Sequence, residues 1–186
     1  MKKHLLIYCC LIVFAMFLMG CSRNNNDEEF KLVPDHNSET NISGMGLDYQ
    51  IENIKKGKYE FEFYAKEYKK GKFVKQHRLY NLTLDIDDKN KKVPVSVYQE
   101  DENIKLFIEP NYQDITLDFF EKWGSGLAIS GIESEKVLKF NEDTPIVVYS
   151  IAGEDKSVSS VDIEGDYTLG SNEKDLVIFM KIIQSN

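Results

Sequence analysis

Histidines are the first residues to consider for metal or acid–base chemistry, and the chain has three of them, His4, His36 and His77. Metal sites that can be read from sequence have histidines at short fixed spacings, such as H-x-H or H-E-x-x-H. None of the three histidines has such a neighbour. We therefore predict no catalytic residue, no metal site and no stoichiometric zinc. We expect His77 to be a surface residue of a strand, whose replacement by alanine leaves function intact.

Carboxylates could bind calcium, and one acidic run has carboxylates at alternate positions: Asp85-Ile86-Asp87-Asp88-Lys89-Asn90. An EF-hand loop needs oxygen ligands at alternate positions and glycine at the sixth. Here Lys89 occupies the third alternate position and Asn90 stands where glycine is required. We interpret this run, and the similar runs at 100–102 and 141–143, as solvated turns.

Three common motifs for nucleophiles and phosphate-binding loops are absent. The chain has no G-x-S-x-G elbow, no Walker A loop and no G-x-G-x-x-G, and each of these would place a reactive group or backbone N–H groups in a defined turn. The candidate ligand-binding residues are instead aromatic: Trp123, Tyr112 and Phe120 could stack on a sugar ring or a peptide. The alternative is that these rings belong to the aromatic core of a sandwich.

The N-terminal region has the order of a bacterial export signal. Lys2 and Lys3 precede an apolar run of 15 residues, Leu5 to Met19, which is too short for a permanent membrane span of about 20 residues. The run ends in Leu18-Met19-Gly20-Cys21 and is followed by polar residues. This segment resembles the lipobox of bacterial lipoproteins. The resemblance implies a signal peptide at 1–20, a diacylglyceryl group on Cys21, and attachment to the extracytoplasmic face of the cell membrane.

The resemblance also determines which cysteines remain in the mature protein. Cys9 and Cys10 would leave with the signal and Cys21 would be acylated, so no free thiol would remain for a disulfide, a metal or nucleophilic catalysis. Removing residues 1–20 takes away two lysines and no acid, which changes the formal net charge from −8 to −10. Such a surface disfavours nucleic acid and anionic headgroups as partners. Almost all basic residues are lysines, a bias that resembles AT-rich Gram-positive genomes.

The remainder of the chain divides into a linker and a domain. Residues 21–46 comprise the cysteine and a polar stretch with little to bury, which predicts a flexible tether; the alternative is that Phe30 to Val33 docks on the domain. From residue 47 to 186 apolar residues alternate with polar ones, with turn residues such as Lys69-Lys70-Gly71 between the runs. Pro145 to Ile151 is the most apolar stretch of this region and predicts a strand buried on both faces.

This pattern predicts one all-β domain at 47–186. We expect an antiparallel β-sandwich, Ig-like in general character, and the alternative is a calycin or lipocalin-like barrel. The functional expectation is a lipid-anchored, non-enzymatic module without a cofactor, which binds a protein or glycan partner at the envelope or takes part in envelope assembly. The alternatives are a barrel that carries a small apolar ligand and a hydrolase that uses paired carboxylates.

Overall fold

The computed structural model describes residues 30–37, 42–87, 92–121, 126–153, 156–164, 169 and 172–185. Eleven β-strands and one 3-10 turn make up the regular structure of these residues, and none of their helices could cross a membrane. The strands are β1 Lys31–Pro34, β2 Met45–Glu52, β3 Gly57–Lys69, β4 Lys72–Ile86, β5 Lys92–Glu100, β6 Asn103–Ile108, β7 Asn111–Thr116, β8 Leu127–Gly131, β9 Lys136–Val137, β10 Thr144–Ile151 and β11 Lys174–Ser185. The 3-10 turn η1 is Asp118–Phe120.

The strands form two antiparallel sheets. Sheet A has the order β7-β6-β5-β2-β1-β9 and sheet B the order β4-β3-β11-β10-β8. Apolar side chains from both sheets make one continuous core, and the sheets do not close on each other. The predicted all-β sandwich is therefore confirmed, and the barrel alternative is wrong.

The longest hairpin, β3–β4, turns where the sequence predicts it. Lys70 and Gly71 form the turn, with φ of 49° and 74°. The left-handed conformation costs little at glycine because it has no Cβ. Of the acidic run 85–90, which is predicted to be a solvated turn, residues 88–90 lie outside the described residues.

Strand β10 is buried on both faces, as its apolar sequence predicts. On the inner face, the Tyr149 hydroxyl lies 3.4 Å from the carbonyl oxygen of Met45 in sheet A. On the outer face, residues 156–164 pack against the sheet, with Val161 and Ile163 buried, and the Val161 N–H donates to Ser130 Oγ at 3.1 Å. Residues 156–164 thus cover the outer face of sheet B, which explains why β10, although next to the sheet edge, has no exposed polar face.

The N-terminal boundary of the domain differs from the prediction. Residues 31–34 form β1, which pairs with β2 on one side and β9 on the other. Leu32 is fully buried and Phe30 is 8% exposed. For this segment the structure therefore bears out the alternative, that Phe30 to Val33 docks on the domain, and not the flexible tether; β-structure begins before residue 47.

Candidate functional site

The end of the β3–β4 hairpin carries three charged or titratable side chains on the inner face of sheet B. Glu67 pairs with Lys75, and Ala65 pairs with His77. Residues two apart on a strand face the same side, so Glu67 continues the row of buried Phe63 and Ala65. Its neighbour in β11 is the buried Leu176. A carboxylate and an imidazole are thus placed where the strand pattern calls for core residues.

The turn η1 brings a second carboxylate to the same place. Strand β7 ends at Thr116, and the chain turns into η1 two residues later. Phe119 and Phe120 are buried, and the Phe120 ring packs edge-on against Tyr149 at 5.7 Å between centroids. The packing of these rings leaves Asp118, at the start of the turn, beside the hairpin.

These four residues form a compact group, here called the Glu67–His77 cluster: Glu67, Lys75, His77 and Asp118. Lys75 Nζ lies 2.7 Å and 2.8 Å from the two carboxylate oxygens of Asp118, and 3.7 Å from Glu67 Oε2. His77 Nε2 lies 3.5 Å from Glu67 Oε2. The side chains of Glu67 and His77 are only 10% and 15% exposed. Within the described part of the chain, neither Glu67 Oε2 nor His77 Nε2 makes a hydrogen bond.

The ammonium of Lys75 dominates the electrostatics of this cluster. Its hydrogen bonds to Asp118 hold the pKa of that carboxyl below its usual range and raise the pKa of Lys75. Each ion of this pair favours the charged form of the other. Asp118 therefore stays ionised, and the cluster is a site where two carboxylates and an imidazole surround a cation.

The cluster contains a set of metal-ligand atoms. One ligand atom each from Glu67, His77 and Asp118 lie within 4.8 Å of one another. Two carboxylate oxygens and one imidazole nitrogen are a ligand set that divalent transition metals accept. The spacing of histidines along the chain could not reveal it, because the three ligands come from two strands and a distant turn.

A second feature is an open pocket of about 500 Å³ at the start of β1 and β3. Its rings are Phe30, Tyr59 and Phe140, with centroids 5.1 to 6.0 Å apart. Burial raises the pKa of Tyr59, against the effect of Lys55. We call it the aromatic–lysine pocket, and it is lined by Phe30, Lys55, Lys56, Tyr59, Leu138, Lys139, Phe140 and Gln184.

The residues predicted as ligand-binding are not brought together in the described structure. Tyr112 lies on β7 and is 49% exposed, with its hydroxyl 3.4 Å from Asp114. Phe120 is 1% exposed, between Phe119 and Tyr149, so the core interpretation holds for it and its ring offers no surface to a ligand. Trp123 lies outside the described residues, as does the lipidation residue Cys21.

The structure also shows where the histidines and the acidic runs lie. His36 is exposed in the turn after β1, whereas His77, predicted to lie on the surface, is largely buried in the cluster. Asp101 and Glu102 form the exposed turn between β5 and β6, and residues 141–143 are exposed as well. In the first acidic run, Asp85 belongs to β4, and residues 88–90 lie outside the described part.

Comparison with known proteins gives no relative: no protein-family model, no curated protein and no solved structure matches the chain.

Proposed function

We propose that this protein is a lipoprotein, attached through Cys21 to the extracytoplasmic face of the cell membrane, and that it acts there as a non-enzymatic binding module. The lipobox Leu18-Met19-Gly20-Cys21 supports the attachment. Phe30, where the described domain begins, lies nine residues after Cys21. A chain extends by at most about 3.3–3.6 Å per residue, so this edge of the domain stays within about 30 Å of the lipid. The module therefore meets its ligand at the membrane surface.

The observation that carries the binding role is the aromatic–lysine pocket. It is concave, it contains Phe30 itself, and its volume of about 500 Å³ is in the range of small-molecule sites. Three exposed lysines, Lys55, Lys56 and Lys139, are at its rim. A concentration of ammonium groups is notable on a mature chain with a net charge of −10. Because apolar rings lie beside ammonium groups, we expect a ligand that has one apolar part and one anionic part.

The ligand that fits this pocket is an anion with a flat or aliphatic apolar portion. The faces and edges of Tyr59 and Phe140 would contact the apolar portion, as stacked and edge-on rings do within proteins. The lysines would attract a carboxylate, phosphate or sulfonate. A protein or glycan of the envelope could occupy the pocket only by presenting the same combination of groups.

The carboxylate-based hydrolase is less well supported. The described carboxylates that approach each other in the Glu67–His77 cluster are those of Glu67 and Asp118. Glycoside hydrolysis needs one carboxylic acid whose pKa is raised so that it can give up a proton. The pKa of Asp118 is instead lowered by Lys75, so Asp118 is not that acid. The ammonium of Lys75 lies between the two carboxylates, which shows that the cluster accommodates a cation.

Two dyes of similar shape and different charge test the pocket. The anion 8-anilinonaphthalene-1-sulfonate should bind with increased fluorescence. Lys56→Gln should weaken this binding by up to about fivefold, because an exposed ion pair contributes roughly 0.2–1 kcal/mol. The neutral N-phenyl-1-naphthylamine should be insensitive to Lys56→Gln, and both dyes should lose affinity in Phe140→Ala. Lys72→Gln, in the exposed end of β4, is the control. Equal effects of Lys56→Gln and Lys72→Gln on the anionic dye would contradict the assignment.

Labelling of cells with a radioactive fatty acid tests the anchor. The wild-type protein should take up label and remain with the membrane fraction. Cys21→Ala should abolish both, because the thiol that carries the diacylglyceryl group is gone. Cys10→Ala changes a cysteine inside the apolar run and should still be labelled. Label on the Cys21→Ala protein would rule out the lipoprotein assignment.

A further inference from the structure

We propose that Glu67, His77 and Asp118 form a binding site for a divalent transition-metal ion of the zinc class, and that the ammonium of Lys75 takes the place of the ion when none is bound. This site is separate from the aromatic–lysine pocket and does not depend on it. It also reverses the expectation from histidine spacing that the chain holds no metal. The argument rests on the geometry, the burial and the ligand chemistry of the cluster.

The buried carboxylate of Glu67 itself points to a bound ion, apart from the spacing of the three ligand atoms. The residue is 8% exposed, and its Oε2 atom makes no hydrogen bond within the described structure while it faces His77 Nε2 at 3.5 Å. The Nε2 atom of His77 has no hydrogen-bond partner there either. A buried polar atom without a partner is costly to a fold. A metal ion between the two atoms would satisfy both at once.

The distances suit a tetrahedral ion. Two ligands at about 2.0–2.1 Å from a tetrahedral metal are about 3.4 Å apart, and Glu67 Oε2 and His77 Nε2 are separated by 3.5 Å. The third ligand, Asp118, has its oxygen within 4.8 Å of the other two. Its side chain is 58% exposed, so a rotation towards the other two ligands is not blocked by packing. Three protein ligands would leave a fourth position for water or an exogenous ligand.

Lys75 marks the position where positive charge is favoured. Its Nζ is 2.7 Å from Asp118 and 3.7 Å from Glu67, between the two carboxylates. The lysine side chain is 40% exposed, and its flexible stem lets the ammonium move into water. A metal ion would therefore displace Lys75 without any change in the strands.

The ligand set selects the class of metal. Imidazole nitrogen is a preferred ligand of zinc and its neighbours, whereas calcium takes six to eight oxygens and magnesium keeps an octahedral shell of oxygens. One nitrogen and two carboxylates, with the side chains of Glu67 and His77 largely buried, fit the first class. We therefore expect Zn²⁺ to bind far more tightly than Mg²⁺ or Ca²⁺.

Zinc titration of the protein as it exists in cells, extracted from membranes in detergent, against a chromophoric chelator, tests the proposal. The wild-type protein should bind one Zn²⁺. His77→Gln and Asp118→Asn should each weaken binding by at least roughly tenfold, which is the lower end of the loss seen even for residues that only support metal ligands. Lys75→Met should raise the affinity, because the competing cation is removed. His36→Gln and Asp114→Asn change exposed residues elsewhere and should leave the affinity unchanged.

Several results would overturn the site. These are absence of zinc binding to the wild-type chain, binding that survives both His77→Gln and Asp118→Asn, and a fall in affinity with Lys75→Met. Because Asp118 is exposed, its variant should fold even if His77→Gln does not. Circular dichroism of each variant separates loss of the ligand from loss of the fold. Dye binding to the aromatic–lysine pocket should be the same in all of these variants, so the two proposals can fail separately.

Discussion

The hydroxyl of Tyr49 donates a hydrogen bond to the carbonyl oxygen of Ile146 at 2.8 Å, which joins the two sheets through the core. Ile146 is available because the pairing of β10 with β11 shifts register between Pro145 and Val147. The same hydroxyl accepts the N–H of Ile132 at 3.2 Å. Burial raises the pKa of Tyr49 well above its usual range, so the hydroxyl keeps its proton and remains a donor at neutral pH.

Tyr49→Phe should therefore destabilise the domain. The change leaves a buried N–H and a buried carbonyl without partners, which costs about 1–3 kcal/mol in the free energy of unfolding. Urea denaturation measures this. Tyr112→Phe removes a hydroxyl from an exposed ring and should change stability by less than about 0.5 kcal/mol. Equal stabilities of the two variants would mean that the Tyr49 bonds contribute nothing net.

Gly131 allows β8 to approach β2. A Cβ at this position would collide with the side chain of Leu47 and the hydroxyl of Tyr49. Gly131→Ala should therefore overpack the contact between the sheets and lower the free energy of unfolding by about 1–3 kcal/mol. At Gly153 the nearest atom to such a Cβ is 3.7 Å away, so Gly153→Ala is the matched control. If the two alanine variants unfold at the same urea concentration, the close contact at Gly131 does not affect the stability of the domain.

Much of the fold follows from period-two alternation. The turn at Lys70 and Gly71 and the doubly buried strand β10 are where the sequence predicts them. The pattern is reliable here because each sheet has one face on a common core, and a slip of one residue would turn that face to water. The short strand β1 was predicted only as an alternative to the tether, because four residues carry too little periodicity to identify a strand.

The Glu67–His77 cluster was not predictable, and the reason is a register shift. Next to the turn, Lys69 pairs with Lys72, and that register would place Glu67 opposite Val74. An irregularity between Glu67 and Tyr68 moves the pairing by one residue, so that Glu67 faces Lys75. Bulges of this kind re-aim side chains and leave no mark in composition.

The stability of the domain should depend on pH through the carboxylate of Glu164. Its Oε1 accepts the backbone N–H groups of Glu133 at 2.6 Å and Ser134 at 2.7 Å. These bonds favour the carboxylate and lower the pKa of Glu164 from its usual value of 4.5. Because the pKa is lower in the folded state, the stabilisation is complete above the unfolded pKa and is lost as the pH falls through the folded pKa.

Thermal unfolding between pH 3 and pH 7 checks this sign. The wild-type protein should be more stable than Glu164→Gln at pH 7, and the difference should shrink as the pH falls below about 4.5. Glu102→Gln, in the exposed turn between β5 and β6, should not reproduce this pH dependence. A difference between wild type and Glu164→Gln that stays constant over the whole range would show that the carboxylate charge is not involved.

The last prediction concerns where the domain begins. A fragment of residues 30–186 retains β1, whereas a fragment of residues 42–186 lacks it and leaves β2 and β9 without their shared neighbour. The shorter fragment also loses the buried Phe30 and Leu32, and removal of one large buried side chain typically costs about 2–5 kcal/mol. That loss is comparable to the whole stability of a small domain. We therefore expect the fragment 30–186 to unfold cooperatively, and the fragment 42–186 to be unfolded or to unfold at much lower urea.

Point variants separate the burial of β1 from the effect of truncation. Leu32→Ala in the fragment 30–186 should lower the free energy of unfolding by about 2–5 kcal/mol, because the side chain is completely buried. Val33→Ala is the control in the same strand, since Val33 is only partly buried, and it should cost clearly less. If residues 30–34 act instead as a dispensable linker, both variants and both fragments will unfold at the same urea concentration.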